Sequence, residues 1–233
     1  MSFQGKNYLI IGASSGIGLA LAQSLIEAGA NVFTASRTQP DLQSTHITWD
    51  AASPDNQAFA SLPTTIDGLA YCPGTINLKP FNRFTSEDFQ KDFQINVLGA
   101  VNVIQAVLPK LKASGNASVV LFSTVAVQTG MGFHASVAAS KGAIEGLTRS
   151  LAAEYASSKI RFNAIAPSLT DTPLAKMLLS SPEKIDASNK RHPLGRVGTS
   201  ADIAAATKLL LSDEGSWITG QILHIDGGMG NLK

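Results

Sequence analysis

Near its start the chain passes from an apolar run directly into a glycine-rich turn, Tyr8-Leu9-Ile10-Ile11-Gly12-Ala13-Ser14-Ser15-Gly16-Ile17-Gly18. The run before Gly12 is continuous rather than alternating, which predicts a strand buried on both faces. Apolar residues then recur at helical spacing as far as Ala28, and Gly29 marks the end of that helix. The next apolar run, 31–36, predicts a second strand. The chain therefore begins with a strand-helix-strand unit.

The glycine-rich turn of this unit is a candidate phosphate-binding site. Glycines let the backbone turn tightly and approach a pyrophosphate closely, at the positive N-terminal end of a helix. A purely structural strand-helix turn is the alternative. The predicted contacts of a dinucleotide in this turn are Gly12, Ser14, Ser15, Gly16, Ile17 and Gly18.

The same alternation of apolar runs and helical segments continues to the end of the chain. Strands are predicted at 7–12, 31–36, 67–72, 117–123, 160–166 and 221–225, and further helices at about 53–61, 86–113, 136–157 and 200–212. This order predicts a doubly wound parallel α/β sheet in a single domain, 1–233. Residues 168–198 follow a strand and are predicted to form a mobile substrate lid over the carboxyl edge of the sheet, or else a surface helical excursion.

Composition excludes several classes of protein. Hydrophobic residues make up 44% of the 233 residues and charged residues 15%, so the chain can bury a core. A net charge of +1 without blocks of like charge argues against nucleic acid as a partner. The single cysteine, Cys72, excludes an internal disulfide, and glycines interrupt the first apolar run, so no signal peptide is predicted. We expect a soluble, cytoplasmic protein with no membrane span and no metal.

The end of the second strand indicates which dinucleotide binds. A site for NAD usually has an acidic residue there, which holds the ribose 2′-hydroxyl, but this chain has Ser36 and Arg37. Arg pairs with a 2′-phosphate and Ser can donate a hydrogen bond to it, so NADP is favoured over NAD. Asp50 is a candidate acceptor for the adenine amino group, and a helix N-cap is the alternative.

Further motifs follow in order along nearly the whole chain. They are Gln94-Ile95-Asn96-Val97, Ser123 after a strand, Ala139-Ser140-Lys141-Gly142-Ala143, Asn163-Ala164-Ile165-Ala166-Pro167 and Gly220-Gln221-Ile222-Leu223-His224-Ile225-Asp226-Gly227-Gly228. Together with the glycine-rich turn, this set resembles the short-chain dehydrogenase/reductase family. The resemblance implies a three-layer Rossmann fold, a nicotinamide cofactor and a homo-oligomer, usually a tetramer partly sealed by the C-terminal strand.

The resemblance also implies roles for individual residues. Ser123 would hydrogen-bond the carbonyl oxygen of the substrate, Lys141 would bind the nicotinamide ribose, and Asn96 would hold a water in a proton relay. The structural alternatives are a strand end, a solvated helix residue and a polar residue satisfied within its helix. Further cofactor contacts are implied at Gly74, Pro167 and Thr170.

Two positions depart from the family pattern. The family has a Tyr four positions before the Lys, which supplies or removes the proton on the reacting oxygen, and here that position is Val137. Valine has no exchangeable proton, so the usual proton transfer is not available. The second departure is Cys72-Pro73-Gly74, where the family usually has Asn-Ala-Gly; Cys72 is interpreted as a small apolar residue rather than a nucleophile.

His134 is one candidate to replace the missing phenol. It lies three residues before Val137 and seven before Lys141, so the three would share a face of a continuous helix. Imidazolium is a competent acid near neutral pH. A loop or cap residue is the structural alternative, and a water held by Ser123, Asn96 and Lys141 is the alternative proton source.

These observations favour an NADP(H)-dependent reductase of a ketone or 3-oxoacyl group with an atypical proton donor. An NADP-binding protein without redox turnover, either a sensor or a supporting subunit, is the main alternative, and a non-redox isomerisation or elimination is a third. The predicted substrate is apolar, because the chain carries candidates for an apolar pocket wall and lid, for which ordinary core packing is the alternative: Met131, Phe133, Leu174, Met177 and Leu178. The cations near the predicted lid are Lys176, Lys184, Lys190 and Arg191.

Overall fold

The computed structural model describes residues 2–232 of the chain. Within these residues the strands are β1 (Asn7–Ile11), β2 (Asn31–Ser36), β3 (Thr45–Thr48), β4 (Gly68–Tyr71), β5 (Ser118–Phe122), β6 (Arg161–Pro167), β7 (Thr170–Asp171), β8 (Gly198–Thr199) and β9 (Ile222–Ile225). The α-helices are α1 (Gly16–Glu27), α2 (Ser86–Phe93), α3 (Gly99–Ser114), α4 (Val125–Thr129), α5 (Ala135–Tyr155), α6 (Pro182–Lys190) and α7 (Ser200–Leu211).

In the described part of the chain, seven strands form one parallel sheet in the order β3-β2-β1-β4-β5-β6-β9, and β7 and β8 form a separate short pair. The predicted single-domain, doubly wound α/β fold is confirmed. The direction of winding reverses between β1 and β4, so a crevice opens beyond the carboxyl ends of these two strands.

Each face of the sheet is covered by its own apolar core. Leu9 of β1 packs with residues of α3 and α5 on one face, and Ile10 packs with residues of α1 and α7 on the other. Both side chains are fully buried. Burial on both faces is why the strands have continuous apolar sequences.

Two of the predicted elements differ from the structure. The helix predicted at 53–61 is wrong: only a 3-10 turn, Asn56–Phe59, forms there, following Pro54 and capped by the Asp55 side chain. The edge strand β3 was not predicted as a strand. Its residues are exposed or half-buried, so the sequence lacks the apolar run that marks the other strands.

The helix predicted at 86–113 is interrupted by a π-turn, Gln94–Leu98, between α2 and α3. Gly99 N–H bonds to the Gln94 carbonyl, and the Ile95 carbonyl accepts a hydrogen bond from Tyr71 Oη at 2.6 Å. A Cβ on Gly99 would collide with Tyr71 Oη. The π-turn therefore depends on the close approach of Tyr71 to a glycine backbone.

No helix in residues 2–232 combines the length and the apolar character needed to cross a bilayer. The segment 168–198 contains β7, a 3-10 turn at Pro173–Leu179, α6 and β8. Its predicted mobility stays a prediction.

Two glycine-to-alanine substitutions should change stability in opposite directions. Gly99→Ala places a methyl group against Tyr71, and overpacking of this kind costs about 1–3 kcal/mol. Gly146→Ala in α5 places the same methyl group in open space and should gain about 0.5–1 kcal/mol from helix propensity. Urea unfolding of both variants measures the difference; equal stability would show that the approach of Tyr71 does not constrain position 99.

Candidate active site

Two cavities meet at the carboxyl edge of the sheet. A groove of about 360 Å³ runs along the glycine-rich turn and the ends of β2 and β3. A second cavity of about 480 Å³ lies between the end of β5, the start of α5 and residues 167–192. Both are lined by Ile17, Cys72, Gly74, Thr172 and Leu174. The groove and the apolar cavity are therefore continuous.

The groove has the features of a phosphate site at the start of α1. Ser15 is the N-cap residue but makes no side-chain cap bond, and the described first turn of α1 contains no acidic side chain. Gly12 has φ +79°, and a Cβ on Gly18 would collide with the Gly12 carbonyl. The helix start thus offers free N–H groups and a positive dipole end to an anion. All six predicted phosphate-binding residues line the groove.

The groove also collects the residues predicted to select the cofactor. Ser36 and Arg37 line it at the end of β2, and Asp50 lines it beyond β3. Ser36 Oγ donates to the Thr38 carbonyl at 2.8 Å, whereas the Arg37 side chain is exposed. Asp50 Oδ1 accepts from the Ala52 N–H at 3.0 Å, so Asp50 stabilises a turn and does not cap an α-helix.

Lys141 and Asn96 meet beneath Gly74, at the passage between groove and cavity. A Cβ on Gly74 would stand 3.5 Å from Lys141 Nζ and 3.4 Å from Asn96 Oδ1. The Asn96 amide donates to Thr75 Oγ1 at 2.8 Å and to the Asp92 carbonyl at 2.7 Å. Asn96 Oδ1 is buried without a hydrogen-bond partner among the described residues. A buried acceptor left unpaired costs about 1–3 kcal/mol, so this atom is placed to receive a donor from a water or a ligand.

Lys141 is held in an unusual electrostatic state. Its side chain is buried, and burial lowers its pKa to about 8, although the nearby Cys72 and Asp92 favour the ammonium form. Burial also raises the pKa of the Cys72 thiol to about 12. Cys72 therefore stays protonated near neutral pH and is not a thiolate nucleophile.

Ser123 lines the cavity, but its hydroxyl proton is directed elsewhere. Ser123 Oγ donates to Glu145 Oε1 of α5 at 2.7 Å. The next residue, Thr124, also lines the cavity, and its Oγ1 accepts from the Ala126 N–H at 3.3 Å. The Thr124 hydroxyl thus keeps its own proton for a ligand. Thr124 was not predicted, and its only signal in the sequence is its place beside Ser123 at the end of β5.

His134, Val137 and Lys141 line the same cavity, as their spacing predicts. Helix α5 begins at Ala135, and His134 is its N-cap residue. His134 Nδ1 lies 2.6 Å from the Gly132 carbonyl. A carbonyl can only accept, so Nδ1 carries a proton and Nε2 is the nitrogen left to exchange a proton with a ligand.

The rest of the wall is largely apolar. Of the predicted apolar residues, Met131, Leu174, Met177 and Leu178 line the cavity. Phe133 does not: it has φ +67°, and its ring is 62% exposed, so the prediction for Phe133 is wrong. Pro167 and Thr170, the remaining predicted cofactor contacts, also line the cavity. No cluster of three or more metal-ligating side chains occurs within residues 2–232.

The buried state of Lys141 predicts a pH-dependent stability. Its pKa is lower in the folded chain than the ordinary 10.5, so between pH 8 and 10.5 the unfolded chain binds more protons and stability rises with pH. Below that window the buried ammonium costs the fold about 3 kcal/mol. We expect Lys141→Met to raise the free energy of unfolding at pH 7 and to lose that gain near pH 10.5.

Urea unfolding at the two pH values measures this effect. Lys176→Met is the control, since Lys176 is exposed and does not line the cavity. A Lys141→Met variant that is destabilised equally at both pH values would contradict the burial argument.

Comparison with known proteins extends these findings. A protein-family model described as enoyl-(acyl carrier protein) reductase matches residues 12–230. A tropinone reductase homolog of Arabidopsis thaliana is 34% identical, with 98% of this chain and 94% of the relative covered. An L-xylulose reductase of Bos taurus is 33% identical, with 96% of each chain covered.

Two solved structures with the same fold are dehydrogenases by name. The ligand-free aldohexose dehydrogenase of Thermoplasma acidophilum superposes with a TM-score of 0.92 at 28% identity, covering 99% of this chain and 96% of that one. A gluconate 5-dehydrogenase of Burkholderia cenocepacia, in complex with NADP and tartrate, gives 0.92 at 28% identity, covering 100% and 98%.

Proposed function

Since the chain belongs to the short-chain dehydrogenase/reductase family, we propose that it is an NADP(H)-dependent reductase of a ketone or 3-oxoacyl carbonyl, with a proton donor other than the family's tyrosine. The observation that carries this proposal is the junction at Gly74. There the groove at the helix N-terminus opens into an apolar cavity beside Lys141 and Asn96. Hydride transfer from a cofactor to a separate substrate requires a cofactor groove that opens into a reaction cavity.

The residues present fit a nicotinamide dinucleotide. The glycine-rich turn would hold the pyrophosphate, Asp50 the adenine, and Lys141 the nicotinamide ribose at the passage by Gly74. Arg37 would pair with a 2′-phosphate, joined by Ser36 once its hydroxyl turns from Thr38. The related gluconate 5-dehydrogenase is described with NADP, which supports the same cofactor here. When bound, the cofactor supplies the hydride for the carbonyl carbon.

The chain's own residues must orient the carbonyl and deliver a proton to its oxygen. Ser123 is the hydroxyl that the family resemblance implies for the carbonyl, but it would first have to leave Glu145. Thr124 Oγ1 accepts from the Ala126 N–H, and it can donate its own proton to the carbonyl oxygen while it keeps that bond. We therefore include both hydroxyls in the proposed contact with the carbonyl oxygen. A hydrogen bond from a neutral hydroxyl becomes stronger as negative charge develops on that oxygen.

His134 is the proposed proton donor. It lines the cavity, as does Val137 at the position of the family's phenol. With both ring nitrogens protonated, its Nε2–H, which is not engaged with Gly132, would donate to the carbonyl oxygen. The alternative is a water on the unpaired Asn96 Oδ1, relayed past Lys141. General acid catalysis contributes about 10²–10⁴-fold, so the two sources can be separated by kinetics.

The proposal includes a homo-oligomer in the cytoplasm. Trp217 is 99% exposed and Leu223 of the edge strand β9 is 36% exposed, and exposed apolar side chains of this kind support contact with a second copy. The single free thiol of Cys72 supports a reducing compartment.

The cofactor preference is tested at Arg37. We expect Arg37→Ala to weaken NADPH binding by about 10–100-fold, because a charge-assisted pair with the 2′-phosphate is lost, and to leave NADH binding unchanged. Fluorescence titration with each cofactor gives both constants. Arg83→Ala is the matched control, since Arg83 is exposed and lines neither cavity. Equal losses for NADPH and NADH would remove Arg37 from 2′-phosphate recognition.

Turnover is tested by single-turnover oxidation of NADPH with a panel of ketones and 3-oxoacyl thioesters. The wild-type chain should turn over at least one, and His134→Ala should slow that step by about 10²-fold without changing NADPH affinity. An unchanged rate in His134→Ala would assign the proton to the water on Asn96. Tight NADPH binding without turnover, restored only by Val137→Tyr, would replace the reductase with a cofactor-binding protein that lacks redox turnover.

A further inference from the structure

The ionisable side chains that line the apolar cavity are basic, except for the Cys72 thiol, which stays protonated near neutral pH. They are Cys72, His134, Lys141, Lys184, Arg191 and His192. Within the described residues no carboxylate lines this cavity. Whatever occupies it therefore meets apolar walls, neutral groups and cations, and no anion.

Two of the cations come from one face of α6 and its end. Lys184 and Arg191 are seven residues apart, and Ser188 lies between them on the same face and also lines the cavity. Arg191 donates to Ser188 Oγ at 3.2 Å, and Lys184 Nζ donates to the Met177 carbonyl at 3.2 Å and to Ser180 Oγ at 2.9 Å. These partners are all neutral. They orient the two cations without cancelling their charge.

The other lysine near the end of α6 shows the contrast. Lys190 lies outside the cavity lining and pairs with Asp186 at 2.6 Å. Lys184 and Arg191 have no acidic side chain within 4.0 Å among the described residues. On this short helix the cation outside the cavity lining is paired with a carboxylate, whereas the two that line the cavity have neutral hydrogen-bond partners.

We propose that the cavity binds an amphipathic anion: a molecule with an apolar body along Met131, Leu174 and Met177 and a carboxylate or phosphate group at Lys184 and Arg191. This deepens the proposed function and rests on it, since the substrate becomes a carbonyl compound that carries such a group. The two cations attract the anion, and the apolar walls bury the body of the molecule. The same walls and charges disfavour an aliphatic ammonium group, which would meet three cations of like sign.

The two ends of the cavity would contact different parts of the substrate. Lys141 and Thr124 lie at the end near Gly74 and β5, where the carbonyl reacts, whereas Lys184 and Arg191 belong to α6 on the covering segment. An anion fixed at α6 would set how far the apolar body reaches toward Gly74. Charge at one end and reaction at the other make the distance between anion and carbonyl a determinant of specificity.

Binding can be tested without turnover, using four ligands with the same eight-carbon chain. Octanoate, octyl phosphate, octanol and octylammonium are titrated calorimetrically into the protein saturated with NADP. We expect the better of the two anions to bind at least about tenfold more tightly than octanol, and octylammonium to bind most weakly. The order of the two anions identifies which group the cations select. Octanol binding as tightly as both anions, or no binding by any ligand at millimolar concentration, would overturn the proposal.

A pair of variants assigns the preference to residues. The double variant Lys184→Met, Arg191→Met should lose the anion preference, by about tenfold, and keep its affinity for octanol. Lys190→Met, on the same helix, is the matched control and should bind all four ligands as the wild type does. All three substituted residues are exposed, so unfolding curves are expected to stay close to wild type. An anion preference that persists in the double variant would sink the assignment.

The same titrations separate this inference from the reductase itself. If NADP fails to bind, or binds and no ketone is reduced, the proposed function fails, yet the order of the four ligands still reports on the cations of α6. If ketones are reduced, a 3-oxo acid should show a KM at least about tenfold below that of its methyl ester, and the double variant should abolish that difference.

Discussion

A parallel sheet whose two faces are both covered by helices imposes the constraint on which this structure depends. Every side chain on its central strands is enclosed, so β1, β4 and β5 consist almost wholly of buried apolar residues. Polar groups that are to meet a ligand are then most readily accommodated where strands end. Because the strands are parallel, their carboxyl ends lie on one edge, and there the glycine-rich turn, Gly74, Thr124 and the start of the covering segment come together.

This edge is built at some expense of stability. Lys141 is buried away from the water that would stabilise its charge, and the side-chain oxygen of Asn96 has no hydrogen-bond donor among the described residues. The fold tolerates both because neighbouring groups are tightly fixed: Tyr71 bonds to the π-turn that carries Asn96, and the Asn96 amide is held by Thr75 and Asp92. Strained or unsatisfied groups of this kind are typical of sites that complete their bonding with a ligand. Here the unpaired Asn96 Oδ1 and the buried Lys141 ammonium stand at the passage between the groove and the cavity.

Val137 lines the cavity at the position where the family resemblance implies a tyrosine. An aliphatic side chain extends the apolar wall at the point where the family has a phenol, while Lys141, one helical turn further on, is retained. The cavity thus combines hydrophobic walls with cations and imidazoles and, within the described lining, has no carboxylate. The reaction and the substrate proposed above are built on this combination: the proposed reductase relies on positioning and electrostatics, with the proton supplied by a group other than a tyrosine.

The sequence by itself determined the alternation of strands and helices, the glycine-rich turn and the family, because those signals are local and lie at fixed spacing along the chain. It missed β3 and wrongly predicted a helix at 53–61, where the local patterns are weak. Only the tertiary structure decided the directions of neighbouring side chains. Ser123 and Thr124 are adjacent hydroxyls that sequence cannot tell apart, yet packing against α5 commits the first to Glu145 and leaves the second facing the cavity. The uncompensated charge of Lys184 and Arg191 was likewise decided in three dimensions, since it depends on which carboxylates come within reach after folding.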